Sequence, residues 1–298
     1  MSKPRQVLAE QFYLITRRCT QRQFLMRPDE ATNNAFVYCL AEAAQRFDID
    51  ILLPVAESNH HHTVIFDRHA RCPQFIEHFH KMFARCQNAL RGRFENLWAA
   101  EEPCVTVLVD RADVISKLIY AASNPVKDGL IERVQHWPGV NGYVRFLSGR
   151  TLRATRPHYF FRREGTMPAA VTLDLTIPPE LGPPEEVRQA VKAGVEVVEQ
   201  SKAEERRRSG ARVVGRRRLL EQSWRDSPTT VAPRFTLRPR FAARAAASRI
   251  AALVRYREFL ADYRDARRQL LAGAEARFPR GTYWLRRFAS VPVSETAN

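Results

Sequence analysis

Cysteine is scarce in this chain, and its spacing builds nothing. The five thiols, Cys19, Cys39, Cys72, Cys86 and Cys104, are odd in number and contain no Cys-x-x-Cys pair, which argues against a zinc knuckle and a secreted disulfide framework. They are expected to be reduced and mostly buried. Long apolar runs are missing too: none approaches the roughly 20 residues that cross a bilayer. The N-terminus lacks the charged, apolar, small-residue order of a signal peptide. The expectation is a cytoplasmic, nucleoid-associated protein without membrane contact. No repeat of fixed period occurs. Acidic residues run short in one region only: residues 201–298 hold 23 Lys and Arg against 9 Asp and Glu, whereas residues 1–200 hold 25 against 23. A nearly neutral body carries a cationic tail, so the expected partner is a polyanion, nucleic acid before others.

What is present is ample core material, with apolar residues at 45%, in an order that reads as an α+β body. Gln11 to Thr16 reads as a first strand ending at Arg17 and Arg18. A helix follows Pro28-Asp29-Glu30, with Phe36, Val37, Leu40, Ala43, Ala44 and Phe47 on one stripe. The apolar run 49–55, the break at Glu57-Ser58-Asn59 and the run 60–66 read as a hairpin. Residues 73–91 read as a helix, 105–109 as a strand, and a further helix starts at Asp110. The expected result is an antiparallel sheet with helices on one face and its other face open to a ligand. A turn-rich stretch, 137–143, closes this body. Beyond it come a strand over 170–177, a helix from Pro184 to about Arg208, and Arg-rich segments around 212–225 and 242–276, the second helical. Trp284 is expected to dock the tail on the body.

Chemistry concentrates at Asn59-His60-His61-His62. In a strand, alternate side chains share a face, so His60 and His62 project together and His61 away from them. Two neutral imidazoles are half of a divalent-metal site. On the helix after Asp110, Val114, Ile115, Leu118, Ile119 and Ala122 fall within about 140° of arc. Tyr120 lies nearly opposite, with Asp113, Ser116 and Lys117, and Asn124 one turn on. Pro125 biases Asn124 out of helical geometry, placing it at the helix end.

These residues resemble a family. Asn59-His60-His61-His62, followed by Tyr120-Ala-Ala-Ser-Asn124-Pro125-Val126-Lys127-Asp128-Gly129-Leu130, is similar to the single-tyrosine HUH transposases, REP-associated tyrosine transposases among them. The likeness covers roughly residues 8–150 and includes Thr16-Arg17-Arg18. It implies a ferredoxin-like, RRM-like HUH catalytic domain over 1–150; the basic, mainly helical region over 151–298 is expected, from its charge, to contact DNA. It implies that His60, His62 and Asn124 hold Mg²⁺ or Mn²⁺ and that Tyr120 attacks a phosphodiester of single-stranded or hairpin DNA. A 5′-phosphotyrosine and a free 3′-hydroxyl would result, and rejoining would reverse the step. Monomer and homodimer both stay open.

Such chemistry needs these residue types independently. A phosphodiester repels nucleophiles, so a cation must sit on its non-bridging oxygen. A free tyrosine, with a pKa near 10, is a weak nucleophile at neutral pH. Asp113 and Lys117 share the Tyr120 face and are candidates for assisting it, with a surface ion pair as the plainer reading. Arg17, Arg18, Arg206, Arg207, Arg208, Arg216, Arg217 and Arg218 are the expected DNA contacts, made to phosphates rather than bases.

One departure from the family and one decoy stand beside this. The family places a hydrophobic residue between its histidines, where this chain has His61. A bulged hairpin would turn His61 to the metal face. His78-Phe79-His80 has the family's spacing but lies in a helix, where i and i+2 diverge by about 200°. Those two read as surface or boundary histidines, and His69, His136 and His158 as structural. Trp98 and Trp137 read as packing residues. A DNA-binding protein that has lost strand transfer is the rival function. An RNA binder is a third, disfavoured because the aromatic-rich strand motif of base-stacking sheets is missing.

Overall fold

The central strand, β1 (Gln11–Arg18), alternates between two cores. Tyr13 and Ile15 enter one cluster, Leu14 the other. The computed structural model describes residues 4–231 and 238–295. After β1 come α1 (Glu30–Phe47), β2 (Ile49–Ala56), β3 (His60–Asp67), α2 (Cys72–Arg91) and β4 (Cys104–Leu108). Then follow α3 (Arg111–Lys127), α4 (Tyr143–Ser148), β5 (Leu152–Thr155), β6 (Ala170–Leu173), α5 (Pro184–Ser209), α6 (Arg216–Glu221), β7 (Phe241–Ala242), α7 (Ala246–Leu271) and α8 (Trp284–Ala289).

The main sheet runs β2-β3-β1-β4-β7. Its first four strands are antiparallel, but β7 joins β4 in parallel, so the sheet is mixed rather than purely antiparallel. α1 and α2 pack on one face, with Phe36, Phe75, Phe79 and Phe83 meeting Ile15, Ile51 and Ile65. Asp29 starts α1 by accepting from the Thr32 backbone N–H at 2.9 Å, which satisfies an otherwise orphaned donor.

The opposite face is not open, contrary to expectation. α3 lies across it, with Val114, Leu118, Ala121 and Ala122 against Leu53, Val55 and Val64. α5 then covers α3 through Val187, Val191 and Val195. Gly194 allows that crossing: a Cβ there would stand 2.2 Å from Ile119 Cδ1, well inside van der Waals contact. The apolar arc of α3 was legible, but not that it had a sheet face to cover as well as a helix. The β5–β6 ribbon similarly covers α1, bringing Ala154, Val171 and Leu173 into its core.

The region beyond residue 150 is therefore woven into the body, since β7 extends the sheet and α5 packs on α3. Four cysteines are buried and Cys104 half-buried, all free. Trp98 and Trp137 are buried, their ring N–H groups donating to the His80 and Ala56 carbonyls. Trp284 departs from expectation: it is 51% exposed and stacks on Phe288. No helix among the described residues is long and apolar enough to cross a membrane.

Candidate active site

The hairpin decides which histidines meet. Its bulge lies on β2, between Ile51 and Leu53, and β3 keeps an unbroken register against β1 from His60–Arg18 to Asp67–Gln11. Strict alternation along β3 follows. His60 and His62 share the α3 face, their rings 4.9 Å apart, and Tyr120 sits 5.2 Å from the His62 ring. His61 points through the sheet to the α1–α2 core, against Phe36 and Phe79. It is a bystander to the pair, as the alternation predicts.

Both paired imidazoles are held from behind. His60 Nδ1 donates to Asn59 Oδ1 at 2.8 Å, and His62 Nδ1 pairs with Thr16 Oγ1 at 2.8 Å. Holding Nδ1 turns each Nε2 toward the site, and for His60, whose Nδ1 donates, that Nε2 carries a lone pair. His62 Nε2 is buried and has no hydrogen-bond partner. Burial, then the Arg18 charge, pushes His60 down to about 4. Burial, with His60 next, holds His62 well below its ordinary range. Both rings are neutral at pH 7, the form that binds a cation.

Asn124 reaches the same spot from α3, but not from a helix end. The helix continues through Pro125 to Lys127, and Asn124 is buried within it. Its Nδ2 donates to Glu57 Oε1 at 2.8 Å and to His60 Nε2 at 3.3 Å. The sequence marks Glu57 only as a hairpin break. It is buried, with Oε2 4.0 Å from His60 Nε2, and burial followed by the Asp128 charge raises it to about 8. Among the described residues, no three His, Cys, Asp or Glu side chains form a metal cluster by themselves. Two imidazole Nε2 atoms, one of them orphaned, and an amide oxygen once Asn124 turns over would nevertheless suit a divalent ion, with the buried Glu57 carboxylate beside them. A cation there would favour that turn, because the Nδ2 now facing His60 is a donor.

Tyr120 is half-buried. Burial first, then the Asp128 and Glu57 charges, raises its phenol above the usual range. Lys117 Nζ lies 5.2 Å and Lys127 Nζ 4.6 Å from its ring centroid. Asp113 is neither a surface ion-pair partner nor a neighbour aimed at the phenol. It is buried, completes a capping box with Asp110, and accepts the Arg244 backbone N–H at 2.8 Å.

The expected arginines divide. Arg18 stands opposite His60 in the strand register, on the Tyr120 face. Arg17 turns away: its Nη1 pairs with His80 Nδ1 at 2.9 Å, and its guanidinium lies over Trp98 on the far face. It is not placed to contact a strand at Tyr120. His80 is correspondingly buried rather than superficial, with Nε2 2.9 Å from His61 Nε2. Its neighbour His78 is half-buried against Glu42 at 2.6 Å. Arg206 is half-buried, while Arg207, Arg208, Arg216, Arg217 and Arg218 are exposed. The chain reaches the last three after Val214 and Gly215 donate to the Gly129 and Leu130 carbonyls, just beyond α3. The residues missed are thus Glu57, whose signal was a charge interrupting an apolar hairpin, and Arg244, which no spacing marks.

No family model matches the chain and no curated protein does. Among solved structures, it is similar to a REP-associated tyrosine transposase bound to a REP hairpin, with a TM-score of 0.42 and 15% identity, over 60% of this chain and 96% of that one. It is also similar to a candidate transposase from Deinococcus radiodurans R1, with a TM-score of 0.27 and 15% identity, over 35% of this chain and 84% of that one.

Proposed function

We propose that the protein is a metal-dependent DNA strand transferase of the single-tyrosine type, with Tyr120 as nucleophile and His60, His62 and Asn124 as holders of Mg²⁺ or Mn²⁺. The observation that carries this reading is one juxtaposition. Tyr120 from α3 rests on His62, whose Nε2 is buried without a partner. A structural histidine in a core would have that nitrogen satisfied, since an orphaned buried polar atom costs about 1–3 kcal/mol.

In this reading Tyr120 Oη attacks the phosphorus of a DNA phosphodiester. The P–O3′ bond breaks, the phenolic proton passes to solvent, and the 3′ oxygen takes one proton from solvent and leaves as a hydroxyl. The 5′-phosphate stays on the enzyme as a phosphotyrosine ester. A different 3′-hydroxyl then reverses the step, so strands are exchanged without hydrolysis. When bound, the divalent ion supplies charge stabilisation at the non-bridging oxygen. The chain does the rest: Thr16 and Asn59 fix the two imidazoles, and Lys117 and Lys127 flank the phenol with positive charge. Arg18 stands beside His60 to meet a phosphate.

The test is incubation with labelled single-stranded and hairpin DNA from the flanks of the protein's own gene, with Mg²⁺ or with EDTA. A covalent, protease-sensitive adduct that needs Mg²⁺ and vanishes in Tyr120→Phe is expected. Tight binding to those strands without any adduct would replace this reading with that of a DNA binder lacking strand transfer.

A further inference from the structure

Beside Tyr120 opens a pocket of about 410 Å³. Its polar wall is Ser116, Lys117, Tyr120, Lys127 and Arg244, and the remainder is apolar surface of α3. His60, His62 and Asn124 do not line it. The tyrosine thus stands between two compartments, the histidine pair on one side and this pocket on the other.

Three cations line one small space. Among the described residues no carboxylate forms an ion pair with Lys117, Lys127 or Arg244. Lys127 is depressed by burial and then by the Lys117 charge, with Asp128 opposing more weakly. Lys117 and Lys127 are half-buried and Arg244 is exposed at the rim; half-buried like charges brought together oppose each other unless an anion joins them. The Tyr120 ring face offsets part of this through cation–π attraction, but it offers no oxygen. Arg244 is brought there from 131 residues away by its own backbone N–H, which donates to Asp113 at the start of α3. The start of α3 and the chain just after β7 are therefore tied together beside the phenol.

We propose that this pocket is a phosphate seat for a nucleic-acid strand, in which Lys117, Lys127 and Arg244 hold a backbone phosphate next to the one Tyr120 attacks. The C-terminal region completes the seat by supplying Arg244. Ser116 adds a hydroxyl donor. The inference rests on the reading of Tyr120 as the group that meets the strand, but it concerns binding and is separable from chemistry.

The test uses the full chain carrying Tyr120→Phe, in EDTA, with fluorescent single-stranded DNA from the gene's flanks, and measures affinity across a salt series. Each phosphate contact contributes about 0.7 to the slope of log K against log salt on a single strand. Arg244→Gln and Lys117→Gln are each expected to flatten that slope, by up to about 0.7 for a seat that holds one phosphate, while Arg145→Gln, an exposed arginine outside the pocket, leaves it unchanged. Thermal melts check that each variant folds, and either pocket variant suffices. Unchanged slopes, equal flattening by Arg145→Gln, or no strand binding by the parent would overturn the proposal. Flattened slopes without any Mg²⁺-dependent adduct in the Tyr120-bearing protein would keep the seat and sink the nucleophile. An adduct with unchanged slopes would do the reverse.

Discussion

The two faces of β3 put the same side chain to opposite uses. On the α1–α2 face, His61 is sealed: Nδ1 pairs with Thr63 at 3.0 Å and Nε2 with His80 at 2.9 Å, under Phe36, Phe79 and Trp98. His80 closes the chain on Arg17. On the α3 face, His60 and His62 have one nitrogen secured and the other turned toward Glu57, Asn124 and Tyr120. An orphaned buried polar atom is costly unless something completes it, and of the three histidines on β3 only His62 carries one. The orphaned nitrogen lies on the α3 face, where the proposed metal would sit.

The sharpest way to break this contrast is chemical. Tyr120→Phe keeps the ring against His62 but removes the proposed nucleophile, so adduct formation on flanking DNA should fall by roughly 10³-fold or more. Retention of the adduct would move the chemistry elsewhere.

Acid should act on both faces together. Burial depresses His60 to about 4 and His61 to about 3, and lowers His62 and His80 well below the usual range. The unfolded chain therefore takes up these protons first, near pH 6.5. Stability is complete above that value and falls as pH drops below it, by up to about 1.4 kcal/mol per histidine per pH unit. Urea midpoints between pH 7.5 and 5.5 would show it. A flat profile would mean that these rings are not buried neutral.

Separate removal of the two kinds of histidine should split stability from metal binding. His61→Ala leaves a cavity and strands His80, costing about 2–4 kcal/mol with the Mn²⁺-induced rise in melting temperature preserved. His62→Ala should abolish that rise with a smaller loss of stability in EDTA. Equal behaviour of the two variants in calorimetry would erase the contrast.

The smallest expected effect sharpens one side alone. Glu57→Gln removes a buried carboxylate while keeping a partner for Asn124, and should weaken Mn²⁺ about 10–100-fold by titration calorimetry. Because Glu57 lies near 8 without metal, a divalent ion that favours its ionised form should stabilise the wild type more at pH 8 than at pH 6. The variant should lose that difference.

Much of the fold was legible because its signals are local. The period of two along β1 and β3, the apolar stripes of α1, α2 and α3, and the breaks at Asn59 and Pro184 follow from neighbouring residues. Layer assignment was not legible. Whether the polar side of α3 meets solvent or a sheet edge depends on α5 and β7, whose contributions lie 60 to 130 residues away. His78-Phe79-His80 shows the same limit. Helical divergence correctly sends the two rings to different partners, Glu42 and His61, but burial of His80 depends on Arg17 and Trp98 arriving from other elements.

Sequence by itself determined which residue types could cooperate here. Strand geometry pairs His60 with His62 and turns His61 away, because successive Cβ atoms alternate across a sheet. Helix geometry likewise lifts Tyr120 off the apolar arc of its own helix. Only the tertiary structure decided what those groups meet. It kept Asn124 inside the helix despite Pro125, aimed Glu57 at the same point, turned Arg17 to the far face and carried Arg244 to the phenol. Those outcomes depend on which distant surfaces bury one another and which charges are desolvated together, and local periodicity carries no record of either.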